Sequence, residues 1–181
     1  AERLFFRPKR YPFKEEEKEL LPIVKEEELV VDGLTLRGYS YGQGPIVYLM
    51  HGWFGRAPQF FRMVKPIAAQ GFKVLFINAK GHGISDGKVS SLVDFAHLLL
   101  AVQDKYGSPE MFVGHSMGGA SFFYASNLGF KCKKAVIIAA PYNAQILLNN
   151  FRDALNATDK VLQYLSDSVQ RKFDQKFDDF M

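Results

Sequence analysis

Apolar runs of four to six residues recur along the middle of the chain, with helix-like segments between them. The runs Ile46 to Met50, Val74 to Ile77 and Ala135 to Ala140 contain almost no charged residue. Such continuous runs are typical of strands buried on both faces, as in a parallel sheet covered by helices. The intervening segments QFFRMVKPIAAQG and SLVDFAHLLLAVQDKYG have the length and apolar spacing of helices. This alternation predicts an α/β fold.

Two shorter runs precede the alternating region and predict a hairpin. ELVVDG and TLRGYSYG meet at Asp32 and Gly33, a dipeptide suited to a tight turn between antiparallel strands. We expect this hairpin at one edge of the sheet. The preceding segment combines an acidic block, KEEEKELL, interpreted as a short exposed helix, with a basic cluster, and we interpret it as a solvated tail. The cluster consists of Arg3, Arg7, Lys9 and Arg10.

The last 40 residues or so have a helical pattern without a convincing strand. Apolar side chains recur at every fourth position from Val161 through Leu165, Val169 and Phe173 to Phe177. Packing against the body of the protein is the ordinary interpretation of such a stripe. One wall of an apolar substrate pocket is the alternative. We therefore divide the chain into a partial core, residues 1–142 with strands one to six, and a helical lid or cap segment, residues 143–181.

Bulk composition predicts one domain and excludes few functions. The chain has 181 residues, of which 48% are hydrophobic, and its 23 basic and 19 acidic residues give a net charge of +4. A weak, dispersed positive charge does not favour nucleic-acid binding. The single cysteine, Cys132, cannot form an internal disulfide. No apolar run is long enough to span a bilayer, and the first residues lack a secretory signal, so the default expectation is a cytoplasmic protein.

The segment FVGHSMGGAS places a serine between an apolar run and a helical one. Its five residues Gly114, His115, Ser116, Met117 and Gly118 fit the pattern G-x-S-x-G. Glycines are needed where a nucleophile sits on a sharp strand-to-helix turn, because the backbone is strained and the elements approach closely. The following helix N-terminus would place free N–H groups near developing negative charge.

Nucleotide and metal sites are not predicted. In a P-loop interpretation Ala120 replaces the phosphate-binding lysine. The glycines Gly81, Gly83 and Gly87 are one residue off the dinucleotide fingerprint and do not open a helix. No histidine or cysteine pair has metal-ligand spacing. We therefore expect neither a metal nor a cofactor.

Three motifs in order resemble the α/β-hydrolase superfamily: HGWFG after the third strand, GHGISDG after the fourth and GHSMGG at the fifth. The resemblance runs from about residue 29 to 142. It implies that Ser116 is the nucleophile and that the N–H groups of Trp53 and Met117 form an oxyanion hole, with the side chain of Trp53 flooring the acyl pocket. It also implies a nucleophile elbow made by Gly114, His115, Gly118 and Gly119.

The superfamily also uses a histidine as the catalytic base, and no histidine of this sequence follows Ser116, where that base is expected. In this fold the order is Ser, then Asp or Glu, then His, but the four histidines are His51, His82, His97 and His115. The resemblance implies that His51 shapes the oxyanion loop and that His82 anchors the loop after strand four. We expect His97 to be a packed or surface residue. Strand alternation points the side chain of His115 away from the attacking oxygen of Ser116.

The triad acid also has no match. In the family the acid and base follow strands seven and eight, whereas the sixth strand is the last predicted here. Asp153 and Asp159 fall in the lid helices. The fold class is therefore an α/β-hydrolase-type, mostly parallel sheet with flanking helices that lacks the last strands. Relatives commonly carry Asp where this chain has Asn78, and Asp86 is interpreted as a turn or capping residue.

Together these features predict a serine hydrolase that cleaves carboxylic esters through an acyl-enzyme on Ser116, in a chain that lacks the triad Asp and His and is nearly inactive alone. The alternatives are a non-catalytic binding or interaction protein and an unusual dyad with His82 or His51. The expected partners are a small ester-like substrate and, at the exposed edge of Ala135 to Ala140, a C-terminal segment, a second chain or a copy of the protein. Aromatic residues near the predicted mouth favour an apolar acyl group, and core packing is an equally good explanation for most of them. They are Trp53, Phe54, Phe60, Phe61 and Tyr142.

Overall fold

A mixed six-stranded sheet forms the centre of the described chain, which comprises residues 2–143 and 145–173 of a computed structural model. The strands lie in the order β1-β2-β4-β3-β5-β6. β1 and β2 are antiparallel, as are β2 and β4, and all other neighbours are parallel. This confirms the predicted mostly parallel α/β sheet. The strands are β1 (Lys25–Val31), β2 (Leu34–Tyr41), β3 (Ile46–Met50), β4 (Lys73–Ile77), β5 (Met111–His115) and β6 (Lys134–Ile138).

Seven α-helices flank this sheet in the described residues. They are α1 (Glu2–Phe5), α2 (Glu15–Lys18), α3 (Phe61–Ala68), α4 (Leu92–Tyr106), α5 (Met117–Asn127), α6 (Gln145–Leu155) and α7 (Asp159–Phe173). Helix α4 begins after Ser91, whose hydroxyl accepts a hydrogen bond from the Asp94 N–H, and ends at Gly107 with φ 82°. A serine cap and a left-handed glycine are the usual signals at these two positions. The predicted helices between the strands are confirmed.

The hairpin at one edge of the sheet is confirmed. β1 pairs with β2 so that Val31 lies opposite Leu34. The two turn residues between them, Asp32 and Gly33, have φ values of 48° and 74°. Both angles are left-handed, as a two-residue hairpin turn requires, and Asp and Gly tolerate this region better than most residues.

The central strands β3 and β4 are buried on both faces, as their apolar runs predict. Alternate residues point to opposite sides of the sheet, so Tyr48 and Leu75 pack against α4, while Leu49 and Phe76 join a second cluster around α3. All four side chains are fully buried.

Strand β6 departs from this prediction. Val136 and Ile138 are 44% and 42% exposed, so this run is not buried on both faces. It also ends at Ile138 rather than Ala140. The physical reason is that β6 pairs only with β5, and no described element lies beyond it. The expectation of an edge strand is confirmed.

The N-terminal segment is not a solvated tail. Helix α2 forms where expected, but Glu17 within it is 2% exposed and pairs with Arg56 at 2.7 Å between Oε2 and Nε. Phe6 is also buried in the main core. The acidic block therefore contributes one buried ion pair, which charge density alone did not indicate.

The C-terminal helices pack against the body. Leu148 of α6 and Leu165 and Val169 of α7 belong to the same core cluster as the central strands. The ordinary interpretation of the apolar stripe is thus confirmed for these positions, while Phe177 and the side chain of Phe173 lie outside the described residues. Among the described helices, none is long and apolar enough to cross a membrane.

Candidate active site

Ser116 occupies a sharp turn between β5 and α5. Its backbone has φ 52° and ψ −121°, a conformation that is rare for a residue with a side chain. The turn is held on both sides, because the Ser116 N–H donates to the Ile138 carbonyl at 2.9 Å and the Ser116 carbonyl accepts from the Ala120 N–H at 2.9 Å. The strain predicted for this motif is therefore present, and it is maintained by backbone hydrogen bonds.

Glycines are required around this turn by close packing. A Cβ atom on Gly114 would lie 2.6 Å from Phe112 Cε1 and 2.7 Å from the Cα of Gly119. One on Gly118 would lie 2.6 Å from the Met50 carbonyl oxygen. These separations are far below van der Waals contact, so β5, α5 and β3 can approach each other only where side chains are missing.

Two backbone N–H groups near Ser116 have no acceptor within the described chain. They belong to Trp53, in the loop after β3, and to Met117, the first residue of α5. The loop touches the turn, since a Cβ on Gly52 would lie 2.8 Å from the Ser116 Cβ. A helix N-terminus carries positive potential, so this corner is suited to stabilise an oxyanion.

His51 holds the loop after β3, and both of its ring nitrogens are hydrogen-bonded. The Ala79 N–H donates to its Nε2 at 3.0 Å, so the ring proton lies on Nδ1, which donates to the Gly52 carbonyl at 2.8 Å. Burial, reinforced by the nearby His82, lowers the pKa of His51 to about 3. A neutral ring with both nitrogens engaged cannot take a proton from Ser116.

His82 anchors the loop after β4 by donating from Nδ1 to the Lys80 carbonyl at 2.9 Å. Its Nε2 is buried without a partner in the described residues. The ring packs edge to face against Trp53 and Phe95, each at a centroid distance of 5.2 Å. Burial lowers the pKa of His82 to about 4. Its environment is therefore mainly aromatic.

Among the described residues, neither of the other two histidines is hydrogen-bonded to the hydroxyl of the candidate nucleophile. His97 lies at the surface, with Nδ1 2.9 Å from Asp32 Oδ2, as expected for a surface residue. His115 is half-buried, and its Nδ1 has no hydrogen-bond partner in the part of the chain that the structure describes. Within the described chain, no hydrogen bond joins the Ser116 hydroxyl to any histidine.

Asn78 connects the loop after β3 to β2 through uncharged hydrogen bonds. Its Oδ1 accepts from the Ala57 N–H at 2.7 Å and its Nδ2 donates to the Arg37 carbonyl at 2.7 Å. A carboxylate could not make the second bond, so asparagine suits this site.

Asp86 is an ion-pair partner rather than a simple turn residue. Its carboxylate accepts from the Arg37 guanidinium at 2.8 Å and from the Thr35 N–H at 3.1 Å, and the pKa of Asp86 is lowered by these bonds.

Ser116 opens into a largely apolar cavity of about 650 Å³. Two of the predicted mouth residues, Trp53 and Phe54, line it. Phe60 and Phe61 pack instead with the α3 cluster, and Tyr142 is 83% exposed, so the prediction was wrong for these three. The sequence also gave no signal that the N-terminal segment forms a wall. The cavity is lined by Leu4, Phe5, Phe6, Arg7, Lys9, Trp53, Phe54, Ser90, Ser91, Leu92, Val93, Ser116, Met117, Leu147, Asn150, Phe151, Ala154, Leu155 and Val169.

The family is shown by sequence comparison. A family model described as alpha/beta hydrolase fold matches residues 45–177. The chain belongs to this family. A monoacylglycerol lipase of Mycolicibacterium smegmatis is 30% identical to this α/β-hydrolase over 86 residues, which are 43% of this chain and 31% of the lipase.

Solved structures agree on the fold. An epoxide hydrolase, CorEH, matches this α/β-hydrolase with a TM-score of 0.58 at 20% identity, over 65% of this chain and 42% of its own. An epoxide hydrolase of Vigna radiata matches with a TM-score of 0.59 at 19% identity, over 67% of this chain and 42% of its own. The thioesterase domain from the curacin biosynthetic pathway matches with a TM-score of 0.60 at 21% identity, over 78% of this chain and 66% of its own. The chain thus spans less than two thirds of each of these proteins.

Acidification is expected to destabilise this α/β-hydrolase through its two buried histidines. The pKa values of His51 and His82 in the folded state, about 3 and about 4, lie below the ordinary value of about 6.5. Between these values the unfolded chain binds more protons, so the free energy of unfolding falls as pH decreases from 6.5 toward 4. At pH 5 the slope should be about 2 kcal/mol per pH unit, measurable by urea unfolding from pH 7 to 4.5.

The matched controls separate this effect from general acid unfolding. We expect His82→Gln to reduce the slope by about half, because one titrating group is removed. His97→Gln, at the surface, should leave it unchanged. A free energy of unfolding that does not change between pH 6.5 and 4.5 would contradict the prediction.

Proposed function

We propose that this protein is a serine hydrolase that cleaves carboxylic esters through an acyl-enzyme on Ser116. One observation carries the proposal: a serine on a strained, backbone-held turn faces an apolar cavity beside two N–H groups that have no acceptor among the described residues. The Ser116 Oγ attacks the ester carbonyl carbon and its proton passes to a base. The alkoxide leaves with a proton, and water then releases the acid from Ser116.

The N–H groups of Trp53 and Met117 are the proposed oxyanion hole. Both donors are backbone atoms at fixed positions, so little reorganisation is needed when the carbonyl oxygen gains charge. Each donor of this kind contributes roughly 3 to 4 kcal/mol of transition-state stabilisation. The proposed elbow holds the Met117 N–H beside Ser116. It is formed by Gly114, His115, Gly118 and Gly119.

The base is proposed to come from outside the described residues. A serine hydroxyl is a weak nucleophile without a positioned base, and the two best-buried histidines are engaged elsewhere or surrounded by aromatic rings. Because the chain covers only 31% to 66% of its relatives, we propose that it is the N-terminal part of a longer enzyme. Coding sequence beyond Met181 should then contain a strand ending in Asp and a later loop with His.

The open edge of β6 supports the same proposal. Its outer side carries no neighbouring strand among the described elements, and Val136 and Ile138 are substantially exposed. Apolar, unpaired strand edges are normally covered. A C-terminal segment that continues the sheet is the proposed partner, and self-association through this edge is the alternative. Helices α6 and α7 would serve as the start of a lid over the cavity.

The substrate is proposed to be a small ester with an apolar acyl group. Phe54, Trp53 and Leu147 belong to a cavity wall that is mostly apolar, and such walls select ligands by shape and burial. The similarity to a monoacylglycerol lipase agrees with an ester substrate, and the likeness to epoxide hydrolases and a thioesterase domain is one of fold.

Labelling with a fluorophosphonate probe tests the nucleophile. In a protein that includes any downstream coding sequence, we expect rapid modification of the peptide that contains Ser116, detected by mass spectrometry, and no labelling of Ser116→Ala. The 181-residue chain should be labelled far more slowly. Slow labelling of both proteins would instead support a non-catalytic binding protein. Fast labelling of the short chain that is lost in His82→Ala would support a dyad and overturn the proposed origin of the base.

A further inference from the structure

Exposed apolar side chains lie at the mouth of the cavity that contains Ser116. Leu4, Phe54 and Leu155 all line this cavity, yet they are 66%, 45% and 54% exposed. They come from three separate parts of the chain: α1, the loop after β3 and the last residue of α6. Single exposed apolar residues are common on protein surfaces, but several around one opening are typical of a binding surface. Together these three side chains form an apolar rim.

Phe54 is held at the rim by a strained turn. The Gly55 N–H donates to the Gly52 carbonyl at 2.9 Å, and Phe54, the third residue of this turn, has φ 59°. Glycine is the usual residue at such a position, because positive φ is disfavoured for residues with a side chain and most of all for bulky ones. Backbone strain and exposure of the ring both lower the stability of the protein in water. A residue with both features is typical of a functional surface.

A basic segment packs against the same rim. The ring of Tyr11 is 43% exposed and meets the ring of Phe54 edge to face at a centroid distance of 6.5 Å. The Lys9 ammonium lies 4.9 Å from the centre of the Tyr11 ring. Arg7 is exposed and lines the cavity. Two cations and an amphipathic aromatic ring thus adjoin the apolar rim.

This segment is fixed to the body of the protein, and its charge is not balanced locally. Neither of its two rim cations, Arg7 and Lys9, forms an ion pair within the described chain, and the cavity lining contains no Asp or Glu. Two acids adjoin lining residues in the sequence, Asp94 and Asp153, and each pairs with a different basic side chain, Lys80 or Arg152.

The anchor of the segment is Arg10. Its guanidinium donates to three backbone carbonyls of the loop after β4 at 2.7 to 2.9 Å, those of Gly83, Ser85 and Gly87. The Phe6 carbonyl also accepts from the Ser90 N–H at 2.7 Å. These bonds flank residues 7 to 9, so the two rim cations are carried by a fixed backbone.

The occupant of this surface has to cover apolar side chains without closing the cavity permanently, because substrate enters at the mouth. A lipid surface meets both requirements. Apolar and aromatic side chains insert at the boundary between headgroups and acyl chains, and neighbouring basic side chains meet anionic headgroups. A folded protein partner at the same place would block the mouth.

We propose that the apolar rim, with Tyr11, Arg7 and Lys9, docks on the surface of an anionic lipid bilayer, so that the mouth of the cavity faces the membrane. An apolar ester dissolved in the lipid then reaches Ser116 without crossing water. This delivery of substrate rests on the proposed function, whereas the docking does not.

Vesicle binding tests the docking. The proteins carry Ser116→Ala, which prevents turnover, and include any downstream coding sequence. Co-sedimentation is measured with vesicles of phosphatidylcholine alone and with vesicles that also contain about 30 mol% phosphatidylglycerol. We expect binding to the anionic vesicles to be roughly tenfold to thirtyfold tighter at low salt, because two cations face the headgroups. This preference should decrease as the salt concentration rises.

Variants assign the binding to the rim. Leu155→Ser should weaken binding to anionic vesicles about fivefold, because less apolar surface enters the lipid. Arg7→Gln should weaken it about threefold to fivefold and reduce its salt dependence. The matched controls are Phe123→Ser and Arg62→Gln, which change exposed residues outside the lining and should leave binding unchanged.

Phe54→Gly separates docking from folding. Glycine accepts φ 59° without strain, so the urea midpoint should not fall, while vesicle binding should weaken about tenfold because the ring is lost. Equal binding to both kinds of vesicle, or binding to neither, would overturn the inference. Unchanged binding by both Phe54→Gly and Leu155→Ser would also overturn it.

The two proposals fail separately. If Ser116 is not the nucleophile, fluorophosphonate labelling fails while vesicle binding persists in the Ser116→Ala protein. If the rim does not dock on lipid, the labelling succeeds and the protein stays in the supernatant with both kinds of vesicle.

Discussion

The 181-residue chain is expected to hydrolyse p-nitrophenyl acetate at most about 10³ to 10⁴ times faster than water alone, far below the rate of a complete serine hydrolase. The proposed oxyanion donors and the cavity remain, but no histidine among the described residues is hydrogen-bonded to Ser116, so none of them is placed to accept the hydroxyl proton. Initial rates under saturating ester, with the uncatalysed rate subtracted, give this ratio directly.

Non-additivity supplies the control for this prediction. Once one member of a catalytic unit is missing, removing a second member lowers the rate little further. Removing the serine from a chain without a base should therefore change the rate little. Ser116→Ala is therefore expected to retain most of the residual activity of the short chain. A loss of a hundredfold or more would mean that a base is already present and would refute the proposed incompleteness.

Glu17→Ala is expected to lower the free energy of unfolding by about 3 to 5 kcal/mol, because Arg56 would be left charged and buried. The two side chains are 3% and 11% exposed and 2.7 Å apart. The loss should appear as a lower midpoint in urea unfolding followed by circular dichroism.

Two variants test the cause. Glu15→Ala removes an acid of the same helix whose ion pair with Lys18 is exposed, and it should give no measurable change. The double variant Glu17→Met with Arg56→Met should recover most of the lost stability, since no unpaired charge remains. If the double variant is as unstable as Glu17→Ala, packing rather than charge accounts for the effect.

The core of the fold could be predicted from the sequence because its signals are local. The continuous apolar run of β3, the Asp32-Gly33 turn and the serine cap of α4 each specify a conformation within a few residues. The turn at Ser116 belongs to the same class, because its glycines report backbone strain and close packing at adjacent positions. The candidate roles of Trp53 and Met117 came instead from the resemblance of the three motifs to the α/β-hydrolase superfamily.

The errors arose where burial depends on residues distant in the chain. Strand β6 has the same apolar character as β3, yet it is exposed because no described element covers its outer side. Glu17 looks like part of a solvated charge run, but the three-dimensional contact with Arg56 buries it. Similarly, Phe60 and Tyr142 are aromatic residues near a motif that nevertheless do not reach the cavity.

The sequence by itself thus determined the α/β class, the strand and helix sequence, the hairpin and the candidate nucleophile, because periodicity and turn chemistry act over short separations. Only the tertiary structure decided that the N-terminal segment walls the cavity, that both ring nitrogens of His51 are hydrogen-bonded, and that His82 packs against Trp53 and Phe95. These facts depend on contacts between residues far apart in the sequence, such as Phe5 and Phe151, which no local pattern encodes.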